Sequence, residues 1–138
     1  DNMNERNFDT GLQEYKFNGK CIVRFNPADP AFADRIYTAF DKLKGKQGDK
    51  DTSGMSASEV FDYLRALDEE MRETIDSVFE QPVCAELFGS MSVYASAGGT
   101  PLWMNFMLAV IDELDEGVKR EKAFHSEKLA KYTKKYHR

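Results

Sequence analysis

Residues 15–25, YKFNGKCIVRF, decide how the fold begins. Their centre is Asn18-Gly19, and both residue types tolerate the positive φ that a type I′ turn requires at its two central positions. Apolar residues recur at every second position on either side of this pair, which places them on one face of a two-stranded ribbon. They are Tyr15, Phe17, Cys21, Val23 and Phe25. The pattern therefore predicts a β-hairpin with one apolar face.

A hairpin on its own is marginally stable in water, so its apolar face needs a cover and its edge needs a partner. Residues 8–12 could add a third strand, although their pattern is weak. The alternative is a strand from another chain, paired with the open edge. The sequence leaves both alternatives open.

The chain after the hairpin is typical of helices. Asp29-Pro30 indicates an N-cap followed by a first-turn proline, and Ser56 with Glu59 matches a capping box. Residues 44–54 hold three glycines and indicate an exposed loop between two helices. The first helical stripe is Phe32, Ile36, Tyr37, Phe40 and Leu43, and the second is Val60, Leu64, Leu67, Met71, Ile75 and Phe79.

Two further helices are predicted downstream. A short one after Pro82 ends at Gly89, which suits a C-terminal cap, and a small-residue loop follows it. Thr100-Pro101 then indicates the N-cap and first-turn proline of a last helix, which has apolar residues around most of its circumference and is therefore expected to be the central one. Only Gly117 interrupts its possible extension into the C-terminal residues.

The predicted fold class is α+β and mostly α, with an N-terminal β-hairpin followed by a small helical bundle and a long C-terminal helix. Residues 1–118 are expected to form one α+β domain. Residues 119–138 are expected to form a basic helical extension or a flexible tail.

The composition of the 138-residue chain, 41% hydrophobic and 31% charged, is ordinary for a globular protein. The longest apolar stretch, residues 102–111, is too short to span a bilayer, so no membrane partner is expected. No signal peptide is visible, which favours a cytoplasmic location. Cys21 and Cys84 form no metal-binding pair and are expected to be buried, reduced thiols.

The charge is distributed unevenly. Residues 119–138 carry eight Lys or Arg against two Glu, a formal charge of +6, which leaves −11 for residues 1–118. Aromatic residues interleave with the lysines, a mixture that can bind nucleic acid or an acidic protein. The acidic body would repel phosphate, so nucleic acid is the less favoured partner. The basic candidates are Lys128, Lys131, Lys134 and Lys135.

No catalytic motif is present. Asp49, Asp51, Ser53 and Gly54 match the first half of a calcium-binding EF-hand loop, but Val60 stands where the bidentate acid should be. Acidic clusters at residues 68–73 and 112–116 have no neighbouring His and are best explained as solvated helix faces. The sequence therefore predicts no enzyme, no cofactor and no metal site.

The layout resembles the tail assembly chaperones of long-tailed bacteriophages and prophages. The similarity lies in the hairpin YKFNGKCIVRF, the helix that follows NPADP, the long amphipathic second helix, and the segment FGSMSVYASAGGTPLWMNF that leads into a charged last helix. The resemblance implies a non-enzymatic protein that coats the long tape-measure protein, recruits tail-tube subunits and self-associates with other copies of itself. An alternative is a small helical adaptor or regulator that binds nucleic acid or an acidic protein through the basic helix.

The resemblance brings no active site, so the candidate residues lie on surfaces. The hairpin candidates are Tyr15, Phe17, Val23 and Phe25. The helical candidates are Trp103, Phe106 and Met107, on condition that the core does not use them fully.

Overall fold

The structure is a computed structural model that describes residues 2–46 and 50–136. Its elements in chain order are β1 (Gln13–Phe17), β2 (Cys21–Phe25), α1 (Pro30–Lys46), α2 (Ala57–Phe79), α3 (Val83–Phe88), β3 (Ser96–Ala97), β4 (Thr100–Pro101) and α4 (Leu102–Tyr136). The fold is α+β and mostly α, which confirms the predicted class.

The hairpin forms where the sequence places it, with positive φ at Asn18 (52°) and Gly19 (67°). Three residues, however, connect the strands, because Phe17 pairs with Cys21 and Tyr15 with Val23. A two-residue turn would pair Phe17 with Lys20 instead and would turn the apolar residues of β2 to the opposite face. The extra residue, Lys20, therefore keeps all five apolar residues on one face.

Residues 8–12 form no strand, so the third strand considered from the sequence is not formed within the chain. The segment is fixed to the end of β2 instead. The Asn26 side-chain amide donates to the carbonyl of Thr10 at 2.9 Å, and the Asp9 carboxylate accepts from the amide of Gly11 at 2.8 Å.

Aromatic rings connect the apolar face of the hairpin to three helices. Tyr15 stacks on Phe25 with ring centroids 4.5 Å apart, and Phe25 stacks on Phe32 of α1 at 4.6 Å. Phe79 of α2 continues the series between α1 and α4, and Phe106 of α4 returns it to β1. The series is Tyr15, Phe25, Phe32, Phe79, Phe106 and Phe17. The helices thus provide the cover that the two strands need.

One face of the N-terminal half of α4 is deeply buried, as the apolar residues around this part of the helix predict. Trp103, Met107 and Val110 are fully buried, and Leu114 is nearly so. The predicted start of this helix was wrong. Thr100 and Pro101 pair with Ala97 and Ser96 as a small second hairpin, with Gly98-Gly99 as its turn, so α4 begins at Leu102.

The predicted helix starts of α1 and α2 are confirmed. The Asp29 carboxylate accepts from the amide of Ala31, while Ser56 and Glu59 form the full capping box. The predicted stripes extend too far in places. On α1, Tyr37 is 46% exposed. On α2, Leu64 is 39% exposed, because the first turns of this helix lie beyond the part that packs on the core.

Gly117 does not end the last helix, which continues to Tyr136. A Cβ atom at this position would lie 2.4 Å from Cβ of Pro27 and 3.1 Å from its backbone carbonyl carbon. Pro27 is buried and lies two residues after the end of β2. Glycine is therefore needed here for the close approach of α4 to the end of the hairpin.

We expect Gly117→Ala to destabilise the protein. The added methyl overlaps a rigid ring, which costs about 1–3 kcal/mol when a packed site must expand, whereas the gain in helix propensity is about 1 kcal/mol at most. Gly45→Ala is the matched control, since a Cβ there meets nothing within 4 Å and α1 should become slightly more stable. Urea unfolding of both variants measures the difference, and equal stabilisation by both would contradict the packing role of Gly117.

Candidate functional site

Asp51 and Glu59, two acids in or near the partial EF-hand pattern, lie at a turn and at a helix N-terminus. Among residues 2–46 and 50–136, no three His, Cys, Asp or Glu side chains are grouped so that they could hold a metal ion. Asp49 of the partial EF-hand pattern and His137 lie outside the described residues. Glu59 accepts from the amide of Ser56 in the capping box, and the Asp51 carboxylate accepts from the amide of Ser53, which lowers the pKa of Asp51. These two acids thus have local roles at turns and helix ends.

The acidic cluster on α2 is only partly a solvated face. Glu69, Glu70 and Glu73 are exposed, as expected, but the carboxylate of Asp68 is largely covered. One of its oxygens accepts from the amide of Val93 at 2.8 Å, and the other accepts from Nε of Arg72 at 3.0 Å. We name Asp68 and Arg72 the α2 clamp.

The α2 clamp holds the segment between α3 and β3. Arg72 also donates to the carbonyls of Gly89 at 2.9 Å and Met91 at 2.6 Å. One helical turn further along α2, the Asp76 carboxylate accepts from the amide of Cys84 at 3.0 Å. Three polar side chains at successive turns of α2 therefore fix the chain from α3 to β3, and this acidic group has a structural use.

We expect Asp68→Asn to lower the free energy of unfolding by about 1–3 kcal/mol, because a charged acceptor shared by an amide and a guanidinium is lost. Glu69→Gln, the neighbouring exposed acid, removes the same charge and should change stability by less than about 0.5 kcal/mol. Thermal or urea unfolding compares the two variants. A similar effect of both would show that Asp68 acts only through its charge.

Both cysteines are buried, as the sequence predicts. Burial raises the pKa of Cys21 to about 11, with Glu86 and Asp76 adding to the shift. Burial also raises the pKa of Cys84 far above its ordinary value, and the nearby Asp76 acts in the same direction. Neither thiol has the lowered pKa of a nucleophilic cysteine.

We expect both thiols to react with a disulfide reagent only through unfolding or local opening, at rates orders of magnitude below those of the unfolded chain. The thiolate is the reacting form, and burial disfavours it. Because folding raises the pKa of Cys21, the neutral thiol contributes fully to the free energy of unfolding below its ordinary pKa of 9.0. This contribution is lost as the pH rises to about 11. Stopped-flow measurement with Ellman's reagent, with and without denaturant, tests the protection. Rapid reaction of one thiol in the native protein would contradict it.

Most of the apolar candidates for partner binding belong to the core. Five of them are at most 6% exposed, so they present no surface to a partner: Val23, Phe25, Trp103, Phe106 and Met107. All five belong to the hydrophobic core, and this corrects the expectation that they bind a partner. Tyr15 and Phe17 are half-buried and lie at the border of the core.

The two edges of the hairpin differ. The Gln81 side-chain amide donates to the carbonyl of Ile22 at 2.9 Å, and α3 contacts β2, so the outer edge of β2 is covered. Because the Ile22 carbonyl points away from β1, the pair Lys16 and Ile22 is a non-hydrogen-bonded pair of the ladder. The amide and carbonyl of Lys16 therefore face the outer edge of β1. No strand among the described residues pairs with that edge.

A groove adjoins the start of β1. It lies between residues 9–13 and the C-terminal half of α4, and its lining includes Leu12, Gln13, Phe124, Lys128 and Lys131. Leu12 is 63% exposed and Phe124 is 52% exposed, so the groove offers apolar surface. Its charges are mixed, because Asp9, Glu121 and Glu127 line it together with Lys128 and Lys131. Two of the four basic candidates, Lys128 and Lys131, thus line this groove.

Tyr15 lies on the same side of the hairpin as α4. Partial burial raises the pKa of its hydroxyl, with Glu113 acting in the same direction and a hydrogen bond with Arg120 opposing both. These neighbours place the middle of α4 beside β1. The edge of β1, the groove and α4 therefore form one region, which we name the β1 region.

Beyond Gly117 the last helix is exposed on all sides. Every residue from 118 to 135 is exposed, including the candidates Lys134 and Lys135. Exposed apolar residues occur in this part as well, namely Val118, Phe124, Leu129 and Tyr132. In proteins, most helical stability comes from the packing of an amphipathic face. From the sequence, Phe124 and Tyr132 were considered only as aromatic residues among the lysines, and Val118 and Leu129 were not considered.

Among the described helices, none is long and apolar enough to cross a membrane. No protein-family model, curated protein or solved structure matches this chain. The surfaces described above are therefore the basis for inferring a function.

Proposed function

We propose that this protein is a non-enzymatic assembly chaperone of a bacteriophage tail. It binds the tape-measure protein, recruits tail-tube subunits and self-associates in the cytoplasm of the bacterial host cell. The observation that supports this proposal is the unpaired edge of β1 beside a groove that has exposed apolar side chains and charges of both signs. The resemblance of the chain layout to this family of chaperones supports the choice of partner.

An open strand edge suits a protein that must bind many segments of a long partner. Strand addition obtains its affinity from main-chain hydrogen bonds, which every sequence can make, and obtains selectivity from neighbouring side-chain contacts. Here Lys16 offers its amide and carbonyl, while Leu12 and Phe124 offer apolar contacts. Glu14 and Lys16 are exposed on β1, and their charges oppose indiscriminate edge pairing.

The exposed basic helix supports a second candidate function, an adaptor or regulator that binds an acidic protein or nucleic acid. Lys128, Lys131, Lys134 and Lys135 would then make the contacts. The charge of −11 on residues 1–118 opposes binding of phosphate groups. Binding of this kind weakens steeply with added salt, whereas apolar contacts and strand addition largely persist.

We expect Lys16→Pro to abolish capture of the tape-measure protein while the hairpin stays folded. Proline removes the outward amide at Lys16, near the middle of the open edge of β1, and it is tolerated on an edge strand when that amide faces solvent. The measurement is co-expression with a tape-measure protein, followed by the yield of soluble complex at low and high salt.

Lys16→Ala is the matched control, because it removes the same charge and keeps the amide, and it should retain the complex. Loss of the complex in both variants would assign the effect to charge. A salt-sensitive complex that depends only on the lysines of α4 would favour the second candidate function, and no soluble complex with the unmodified protein would contradict the proposal.

A further inference from the structure

One face of α4 carries apolar side chains that stay at least partly exposed. They are Leu108, Ile111, Val118, Leu129 and Tyr132, separated by three, seven, eleven and three residues, and Ile111 also packs against the core. Leu108 and Val118 are each 41% exposed, and Leu129 is 57% exposed. We name this face the outer stripe. It is distinct from the buried face of Trp103, Met107, Val110 and Leu114.

The period of the outer stripe is that of a coiled-coil seam. Positions 108, 111, 115, 118, 122, 125, 129 and 132 alternate steps of three and four, and such a repeat keeps one face towards a partner helix. Five of these eight positions are apolar or aromatic. The other three, Asp115, Lys122 and His125, are polar, and polar seam residues fix orientation and register at some expense of stability.

The charges of α4 change sign along its length. Residues 112–116 contain four acids, whereas residues 131–135 contain three lysines. A parallel copy of the helix would bring acids beside acids and lysines beside lysines. An antiparallel copy brings each group beside its opposite, so this helix is complementary to itself in one orientation only.

We propose that the outer stripe pairs α4 with α4 of a second copy of this chain, in antiparallel orientation. The pairing rests on the self-association in the proposed function and assigns it to α4, away from the edge of β1. In the register that places residues 112–116 beside residues 131–135 of the second copy, Val118 lies beside Leu129 of the second copy. Asp115 then meets Tyr132 of the second copy, and Glu121 meets Lys128 of the second copy.

This register uses most of the helix length. Residues 111–136 overlap with the same residues of the second copy, over about 39 Å at 1.5 Å per residue. The overlap covers much of the exposed helix beyond Gly117, and its two-fold symmetry closes the assembly at two chains. A nucleic acid would be repelled by residues 112–116, and an acidic peptide would match only the basic end, so a second copy fits the charge pattern of α4 best.

The first experiment measures the dimer by sedimentation velocity over a concentration series of the full chain. Val118→Glu with Leu129→Glu places two charges in the seam and should weaken the dimer at least about tenfold. Ala123→Glu with Ala130→Glu is the matched control, because both alanines are exposed on α4 away from the stripe and the same charge is added. The control should leave the dissociation constant within about twofold of the unmodified protein. Circular dichroism checks that both variants keep their helix content.

The second experiment tests the orientation by disulfide trapping. Val118→Cys and Leu129→Cys are made separately, and the native Cys21 and Cys84 are buried and serve as an internal background. Oxidation of a mixture of the two variants should give a cross-linked heterodimer, while neither variant alone should cross-link efficiently. Because trapping requires close Cβ atoms, the result reports the register directly.

A strictly monomeric chain, or a dimer unaffected by the two glutamates, overturns the proposal. Efficient same-site cross-linking overturns the antiparallel orientation, and a dimer abolished by Lys16→Pro moves self-association to the edge of β1. Binding to the tape-measure protein is read separately. A monomeric seam variant that still solubilises that protein would leave the proposed function intact, whereas a normal dimer without capture would contradict the proposed function alone.

Discussion

The series of aromatic contacts that leaves β1 at Tyr15 and returns to it at Phe17 is the interaction on which the rest of the structure depends. Two strands of five residues are marginally stable in water. The three longest described helices support them: α1 through Phe32, α2 through Phe79 and α4 through Phe106. Full burial of a ring, as at Phe25, Phe32 and Phe106, contributes about 1.5–3 kcal/mol, and each ring pair adds about 0.5–1.5 kcal/mol. The hairpin and the helices therefore stabilise each other, and neither forms a separate layer.

This arrangement determines which surfaces remain for partners. The core uses the largest apolar side chains of α4, including Trp103 and Met107, so binding must use groups that packing leaves over. Two kinds are left: the backbone groups on the outer edge of β1, and the outer stripe of α4, which is adjacent to the buried face of that helix. The first is suited to an extended segment and the second to a helix. The two surfaces come close at Lys128, which lines the groove of the β1 region and is placed beside Glu121 of the second copy in the proposed helix pair.

Local patterns predicted the elements well and their contacts poorly. The capping box at Ser56, the N-cap at Asp29 and the positive φ at Asn18-Gly19 depend on neighbours within a few residues, so the sequence shows them. The extra turn residue Lys20 was missed because the Asn18-Gly19 signal favours a shorter turn than the apolar alternation allows. The role of Asp68 depends on Val93, and that of Gly117 on Pro27, pairs joined only by the tertiary fold. Trp103 and its neighbours were offered as binding residues because periodicity shows that a face is apolar, but not what covers it.

The contact between Gly117 and Pro27 couples the position of the hairpin to the direction of the exposed C-terminal half of α4. Pro27 lies two residues after β2, and it contacts α4 at Gly117, the last buried residue before the helix becomes exposed. The direction in which the exposed helix leaves the body is therefore set by the position of the hairpin. A displacement of the hairpin by a bound strand would tilt that helix, and the geometry of any helix pair would change with it. By linkage, occupancy of one surface then alters the affinity of the other by the same factor in both directions.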